Sequence, residues 1–306
     1  GKFLRSTTSS FYYSYFQNYD GDWLDKNLRI LTTMQHLNYW ILEIDAERTA
    51  ERIDDRLTRG GAVALKPADW FLQARLNSDT RKRIAGGLTF STRQDDYANR
   101  TDGIATTLDF QASKRWSLFL SPRLDWTKQE AQYVGTVSDP LATATYGKRH
   151  IFAPLKQTEA SLEARLTYAF TANLTLEVYT QALVAQGDYG APKEFLEPRG
   201  FRFATYGSEA GTINKSGATY TVDPDDTGPA AAFNVDDLSF TSRSLRVNAV
   251  LRWEFRPGST LYAVWQQERL NPLLMENFSV GRATTSVFDA NARNVFAVKV
   301  SYWFNP

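Results

Sequence analysis

Apolar side chains recur at every second position in runs of about ten residues, and this period restricts the chain to extended structure, because successive strand residues face opposite ways. Between Ser161 and Phe170, Leu162, Ala164, Leu166, Tyr168 and Phe170 oppose Glu163, Arg165 and Thr167. After a tight turn at Thr171-Ala172-Asn173, Leu174, Leu176 and Val178 oppose Thr175, Glu177, Tyr179 and Gln181. The two runs form a hairpin.

A second hairpin runs through Leu245, Val247, Ala249, Leu251, Trp253 and Phe255, with Arg246, Asn248, Arg252 and Glu254 on its other side. It turns at Arg256-Pro257-Gly258-Ser259, where Pro fixes φ and Gly takes the left-handed position. A third pairs Ile104 to Phe110 with Trp116 to Trp126. Runs at Phe3 to Phe16, Leu28 to Gln35, Tyr39 to Arg48, Trp70 to Asn77 and Arg83 to Arg93 alternate less cleanly. The last run, Asn294 to Phe304, puts Phe296, Val298, Val300, Tyr302 and Phe304 on one face, the expected lipid face, with Val295, Ala297, Lys299, Ser301 and Trp303 opposite.

These runs and weaker ones give about 14 strands of membrane-spanning length. Longer connections fall near Ala50 to Asp69, Gln132 to Arg149, Gly187 to Asp236 and Asn271 to Arg293, and the others are tight turns. The expected fold is all-β: a single antiparallel transmembrane β-barrel over residues 1–306, with long extracellular loops and short periplasmic turns, placed in the outer membrane. A soluble sandwich or barrel with an apolar interior gives the same alternation. The terminal aromatic strand, the strand lengths and the aromatic pairs at strand ends favour the membrane.

Composition agrees. Aromatics make up 14% of residues and Met only 2, which suits sheet surfaces better than helical bundles. The formal charge is +1, from 35 basic and 34 acidic side chains dispersed along the chain, so no nucleic-acid footprint is present. The absence of cysteine excludes disulfides and thiolate metal sites. Mean hydropathy is −0.41, and no apolar run reaches the roughly 20 residues of a membrane helix, as expected where only alternate residues meet lipid. Gly1 opens almost directly into a strand-like run, so any export signal is expected to have been removed or to lie upstream.

Several segments carry a resemblance: Asp55-Arg56-Leu57-Thr58-Arg59-Gly60-Gly61, Arg149-His150-Ile151-Phe152-Ala153, Gly187-Asp188-Tyr189-Gly190-Ala191-Pro192-Lys193-Glu194, the run from Arg252 to Gln267, and the last strand. Together they resemble the C-terminal region of a bacterial outer-membrane family whose members begin with a signal peptide and a family-9-type carbohydrate-binding β-sandwich, followed by a long barrel-like domain. The match spans nearly all of the chain, and Trp253-Glu254-Phe255-Arg256-Pro257-Gly258-Ser259 is its most specific part. The resemblance implies that this is the C-terminal part of a longer protein. It carries over no site residue.

Catalytic chemistry finds little support. The two histidines, His36 at a hairpin turn and His150 opening a strand, lack a motif partner, so no catalytic residue is assigned. Asp54-Asp55, Asp95-Asp96, Asp225-Asp226 and Asp236-Asp237 are adjacent pairs, which on a strand point to opposite faces and do not make a glycosidase pair. Val222 to Gly228 and Tyr19 to Asp22 miss the spacing of a calcium loop, and no metal or cofactor is expected. The segment Tyr189 to Gly207 is too apolar for a solvated loop, which leaves an ordered cap, an inward constriction, or an external loop packed on neighbours.

Alternation places Arg123, Asp125, Glu163, Arg165, Glu177, Gln181, Arg246, Asn248, Arg252 and Glu254 toward a wet lumen, where mixed charges form ion pairs or tune solute passage. The expected role is non-enzymatic: a passive pore for polar solutes such as oligosaccharides, or a membrane anchor for partner proteins at the long loops, with outer-membrane lipid as surroundings. The alternatives are the membrane part of a carbohydrate-binding or carbohydrate-active protein and, third, an outer-membrane hydrolase.

Overall fold

The computed structural model describes residues 2–273 and 290–304. In chain order its strands are β1 (Leu4–Gln17), β2 (Trp23–His36), β3 (Ile41–Thr49), β4 (Arg52–Asp54), β5 (Ala64–Lys66), β6 (Asp69–Asn77), β7 (Ile84–Asp95), β8 (Arg100–Ser113), β9 (Trp116–Ser138) and β10 (Lys148–Thr171). There follow β11 (Leu174–Tyr189), β12 (Lys193–Phe195), β13 (Phe203–Thr205), β14 (Thr212–Ser216), β15 (Thr219–Asp223), β16 (Phe233–Asp236), β17 (Phe240–Arg256), β18 (Ser259–Leu273) and β19 (Ala292–Ser301). One 3-10 turn, Thr143–Thr145, interrupts them.

Fourteen strands form one sheet ordered β1-β2-β3-β6-β7-β8-β9-β10-β11-β17-β18-β19, with β12 beside β10 and β13 beside β12. The expected count of about 14 long strands therefore becomes twelve in this path, because the remaining strands are short pieces of connections. The Gln132 to Arg149 connection is mostly strand: β9 and β10 stay paired from Lys148↔Ser138 down to Tyr168↔Trp116. Among the described residues β1 pairs only with β2 and β19 only with β18, so they form an open sheet and not the closed barrel expected.

Tight turns lie at one end of the sheet, as at Asn173 and at Pro257-Gly258, where Gly258 has φ 78°. The long connections 50–68 and 190–239 lie at the other. β1 begins and β19 ends at the short-turn end, so the two edge strands run in opposite directions.

Register sorts the side chains into two faces. Leu162↔Ala182↔Leu245 stand on one, and Arg165↔Tyr179↔Asn248↔Gln266 on the other. The first face is apolar and bare. Phe11, Leu28, Ile84, Phe90, Trp126, Phe170, Trp253 and Phe296 are all exposed on it. Phe296, Val298 and Val300 lie on this face of β19, opposite Trp265, Ala263 and Leu261, whereas Tyr302 and Phe304 are exposed but lie beyond the strand, which ends at Ser301.

The whole chain exposes 18629 Å². A compact soluble chain of 34.7 kDa exposes only about 13,000 Å². A sheet one layer thick with a bare apolar face exposes more than such a compact chain. On β9 the apolar-face residues from Trp116 to Trp126 include Leu118, Leu120 and Leu124. The strand climbs about 34 Å over that stretch at about 3.4 Å per residue. Tilted by about 40°, it covers about 26 Å, against an apolar band of about 25 Å in outer-membrane barrels. No described helix is long and apolar enough to cross a membrane.

The buried core lies at the long-loop end. One cluster joins Ala62, Ala64, Ala131, Phe152, Phe195 and Phe201, and a second joins Ile151, Tyr206, Tyr220, Val222 and Val235. Connections 50–68 and 190–239 thus fold together against the extended ends of β9 and β10. Leu65 N–H donates to the Gly200 carbonyl (2.9 Å), and Arg199 N–H to that of Val63 (2.7 Å). This ordered cap resolves the alternatives for Tyr189 to Gly207 in favour of a folded element.

Candidate functional site

The ten polar candidates fall on one face, opposite the apolar band. Gln181 stands between Glu163 and Arg246, Tyr179 between Arg165 and Asn248, and Arg123 and Asp125 continue the face on β9. Arg123 donates twice to Asp125 (2.5 and 2.6 Å), Arg165 to Glu163 (2.9 Å) and Arg252 to Glu254 (3.4 Å). Arg246 takes Glu268 across the strand pair (3.1 Å), a partner absent from the sequence-derived set. Gly103 lies opposite Asp125, and a Cβ there would collide with that carboxylate, so glycine leaves room for the pair.

The same face continues on β2, β3, β6 and β7, where sequence reasoning named no residue. Arg29 grips Asp45 (2.8 and 2.6 Å), and Asp69 accepts from both Arg52 (2.9 Å) and Arg93. Odd-numbered polar positions 43, 45, 47, 73, 75 and 93 were the available signal. It was obscured because apolar Leu31, Ile41 and Phe71 occupy the same polar face.

The side chains of Glu177, Gln181, Asn248 and Gln266 make no hydrogen bond to the described residues, although Asn248 Oδ1 is occluded from solvent. Tyr179, Gln181, Arg246, Asn248, Gln266 and Glu268 bound a concavity of about 440 Å³. With its cations mostly paired to carboxylates and its amides free, this wall offers hydrogen bonds to a polar solute more than a strong field of either sign.

In the cap, Arg149 is clamped by Asp139 and Glu194 (each 2.6 Å), and Tyr206 Oη donates to Glu194 Oε2 (2.6 Å). Burial, reinforced by Glu194, pushes the Tyr206 phenol well up. The Leu141 N–H and Arg149 hold the Asp139 carboxyl below its usual range. His150, 1% exposed, bonds Thr136 Oγ1 through Nδ1 (2.9 Å) and leaves Nε2 without a partner. Its ring lies against Gly61, where any Cβ would strike it. Burial and nearby Lys148 push the imidazole below its usual pKa, against the pull of Glu194. This histidine, near the start of β10, packs inside the cap and has no Ser, Asp or Glu hydrogen-bond partner among the described residues. His36 ends β2 at a turn closed by its N–H to the Trp40 carbonyl (2.8 Å).

The carboxylate pairs hold loops. Asp54 accepts from Arg56 N–H (2.9 Å), Asp95 from Tyr97 and Asn99 N–H (2.9 Å each), Asp225 from Ala230 N–H (3.0 Å), and Asp237 pairs with Lys215 (2.7 Å). No group of three or more His, Asp or Glu among the described residues is placed to hold a metal.

The sheet is a meander of long antiparallel strands with one apolar and one polar face. The solved structure of the copper transporter OprC is similar to this chain with a TM-score of 0.51 at 9% identity, over 97% of this chain and 42% of that one. A NanC porin aligns over 97% of this chain and 99% of its own at 12% identity, with a TM-score of only 0.25. The chain belongs to the family described as Domain of unknown function (DUF5916), whose model matches residues 1–305. No curated protein matches it in sequence.

Proposed function

We propose that this chain forms part of the wall of an outer-membrane β-barrel, with its apolar face in lipid, its polar face along an aqueous route for polar solutes, and its long-loop end covered by the folded cap. The observation that carries this reading is the bare apolar band of about membrane height, backed across a single layer by ion pairs and free amides. The role is passive and non-catalytic. Oligosaccharides suit the free amides and Tyr179 of the inner wall, and a carbohydrate-binding sandwich on a longer polypeptide would supply such solutes.

The open edges favour a related reading, that of an anchor. Because β1 and β19 run in opposite directions, closure takes either direct pairing of the two or an even number of added antiparallel strands. An incomplete wall holds the cap at the membrane surface for partner proteins without conducting. Single-channel recording of the detergent-refolded chain in a planar bilayer separates the two: steady conductance steps support the pore, and silence from a folded, heat-modifiable protein refutes it and leaves the anchor.

A further inference from the structure

We propose that Arg100, Lys128 and Lys156 hold the phosphate of a membrane lipid headgroup on the outer wall, with the lipid's acyl chains in an apolar furrow directly beneath. This rests on the membrane reading above.

Register sets Arg100 opposite Lys128 and Lys128 opposite Lys156, all exposed on the apolar-face side of the sheet. Like charges in adjacent cross-strand places repel, and here three stand side by side on neighbouring strands. The triplet stands where the apolar band ends. One row below lies Trp126, opposite Thr158 and 45% exposed, the residue type that marks the headgroup boundary.

Three carboxylates stand beside the triplet, Asp102 and Asp188 lining the same concavity, but they leave several of its N–H donors free. Asp102 accepts from Arg100 Nε (2.7 Å), and Glu130 takes Lys128 Nζ (2.6 Å). Asp188 faces Lys156 in register but accepts from Gln186 (3.0 Å), and no ion pair joins it to Lys156. The Lys156 ammonium is therefore unpaired among the described residues, and the other two cations keep N–H groups free. Together they border a concavity of about 550 Å³. A phosphate monoester, with nearly two charges and three strong acceptor oxygens, satisfies several such donors at once.

The second observation lies below. Starting at Ile104, Leu124 and Ala160, two rows beneath the cations, an apolar furrow of about 540 Å³ opens on the same face, where small Ala160 sits between Leu124 and Val184 and small Ala182 between Leu162 and Leu245. Rows are about 7 Å apart, so headgroup and chain seats are continuous. A free phosphate uses only the upper half of this arrangement, and this favours a lipid.

The test uses the refolded chain in phosphatidylcholine nanodiscs doped with diphosphorylated lipid A or its dephosphorylated form, with co-purified lipid quantified by mass spectrometry. Wild type is expected to retain the phosphorylated lipid roughly tenfold over the dephosphorylated one, and Lys128→Gln with Lys156→Gln to abolish the preference while strand content by circular dichroism stays unchanged. Equal retention of both lipids by wild type, or an unaltered preference in the double variant, overturns the site. Displacement by equimolar inorganic phosphate overturns the lipid assignment. Flotation with phosphatidylcholine vesicles is read in parallel: a chain that floats but shows no preference refutes the headgroup site alone, and one that does not float refutes the membrane reading.

Discussion

Arg199, in the long connection between β11 and β17, donates from Nη1 to Oδ2 of Asp22 in the β1–β2 turn (3.2 Å), with a second, shorter contact beside it. The two lie at nearly opposite ends of the strand order. Phe201 extends the same reach, its ring edge-on to Tyr97 of the β7–β8 turn at 4.7 Å. The cap therefore spans from β10 and β11, where it is rooted, to the far edge of the sheet.

Because Arg199 is 57% exposed, removing its charge is expected to loosen the far edge of the cap without unfolding the sheet. In Arg199→Ala, amides near 199–201 and 63–65 should lose hydrogen-exchange protection while those of β9 and β10 keep theirs. Uniform protection across the chain would show that the ion pair does not hold the cap.

Gly61 touches the His150 ring with no room for a methyl group. Gly61→Ala should destabilise the cap by about 1–3 kcal/mol, the usual cost of overpacking. Combined with His150→Ser it should recover much of that loss, giving a coupling of about 1 kcal/mol or more in a double-mutant cycle of thermal unfolding.

Acid should also loosen the cap. The pKa of His150 is depressed in the folded chain, so the unfolded state binds more protons below the ordinary value of 6.5. Its contribution to stability is full above that pH and falls as pH drops from 6.5 toward the folded value. Trypsin cleavage after Arg56 and Arg59 should rise over this range in wild type, and His150→Gln should remove that dependence.

Phe152 is fully buried, with the rings of Phe203 and Tyr133 at 5.0 and 5.6 Å. Phe152→Ala should cost about 3–5 kcal/mol of cap stability. Near-ultraviolet circular dichroism should lose aromatic signal at lower temperature than the far-ultraviolet strand signal.

Neutralising Arg165, Arg246 and Arg252 together to Gln leaves Glu163, Glu268 and Glu254 unpaired on the polar face. A conducting chain should then shift toward cation selectivity, read from the reversal potential in a salt gradient. Unchanged selectivity would place these residues away from the ion path.

Much of the sheet was legible because period two is a local property. The turns at Thr171 to Asn173 and Pro257-Gly258 were readable for the same reason, and the ten polar candidates come out on one face because alternation fixes parity strand by strand. The cap was not legible. Strands such as Lys193–Phe195 and Phe203–Thr205 are too short to display a period, and the pairing of the first with β10 and of the second with the first depends on contacts remote in sequence. The Arg246–Glu268 pair needed register between hairpin strands, and the polar residues of β2 and β3 were masked by apolar neighbours on their own face. The segment between Leu273 and Ala290, part of the expected Asn271 to Arg293 loop, lies outside the described residues.

The unbroken succession of neighbours in the sheet carries a consequence for how the chain assembles. Most strands join the one just made, so hairpins can add in turn at little entropic cost. β17 must instead find β11 across the detour 190–239, and closing so long a flexible loop is the slowest kind of pairing. A cap that has already condensed around Phe152 and Tyr206 shortens that search by drawing its two ends together. Damage to its aromatic centre should therefore delay the docking of the C-terminal hairpin as well as weaken the finished cap.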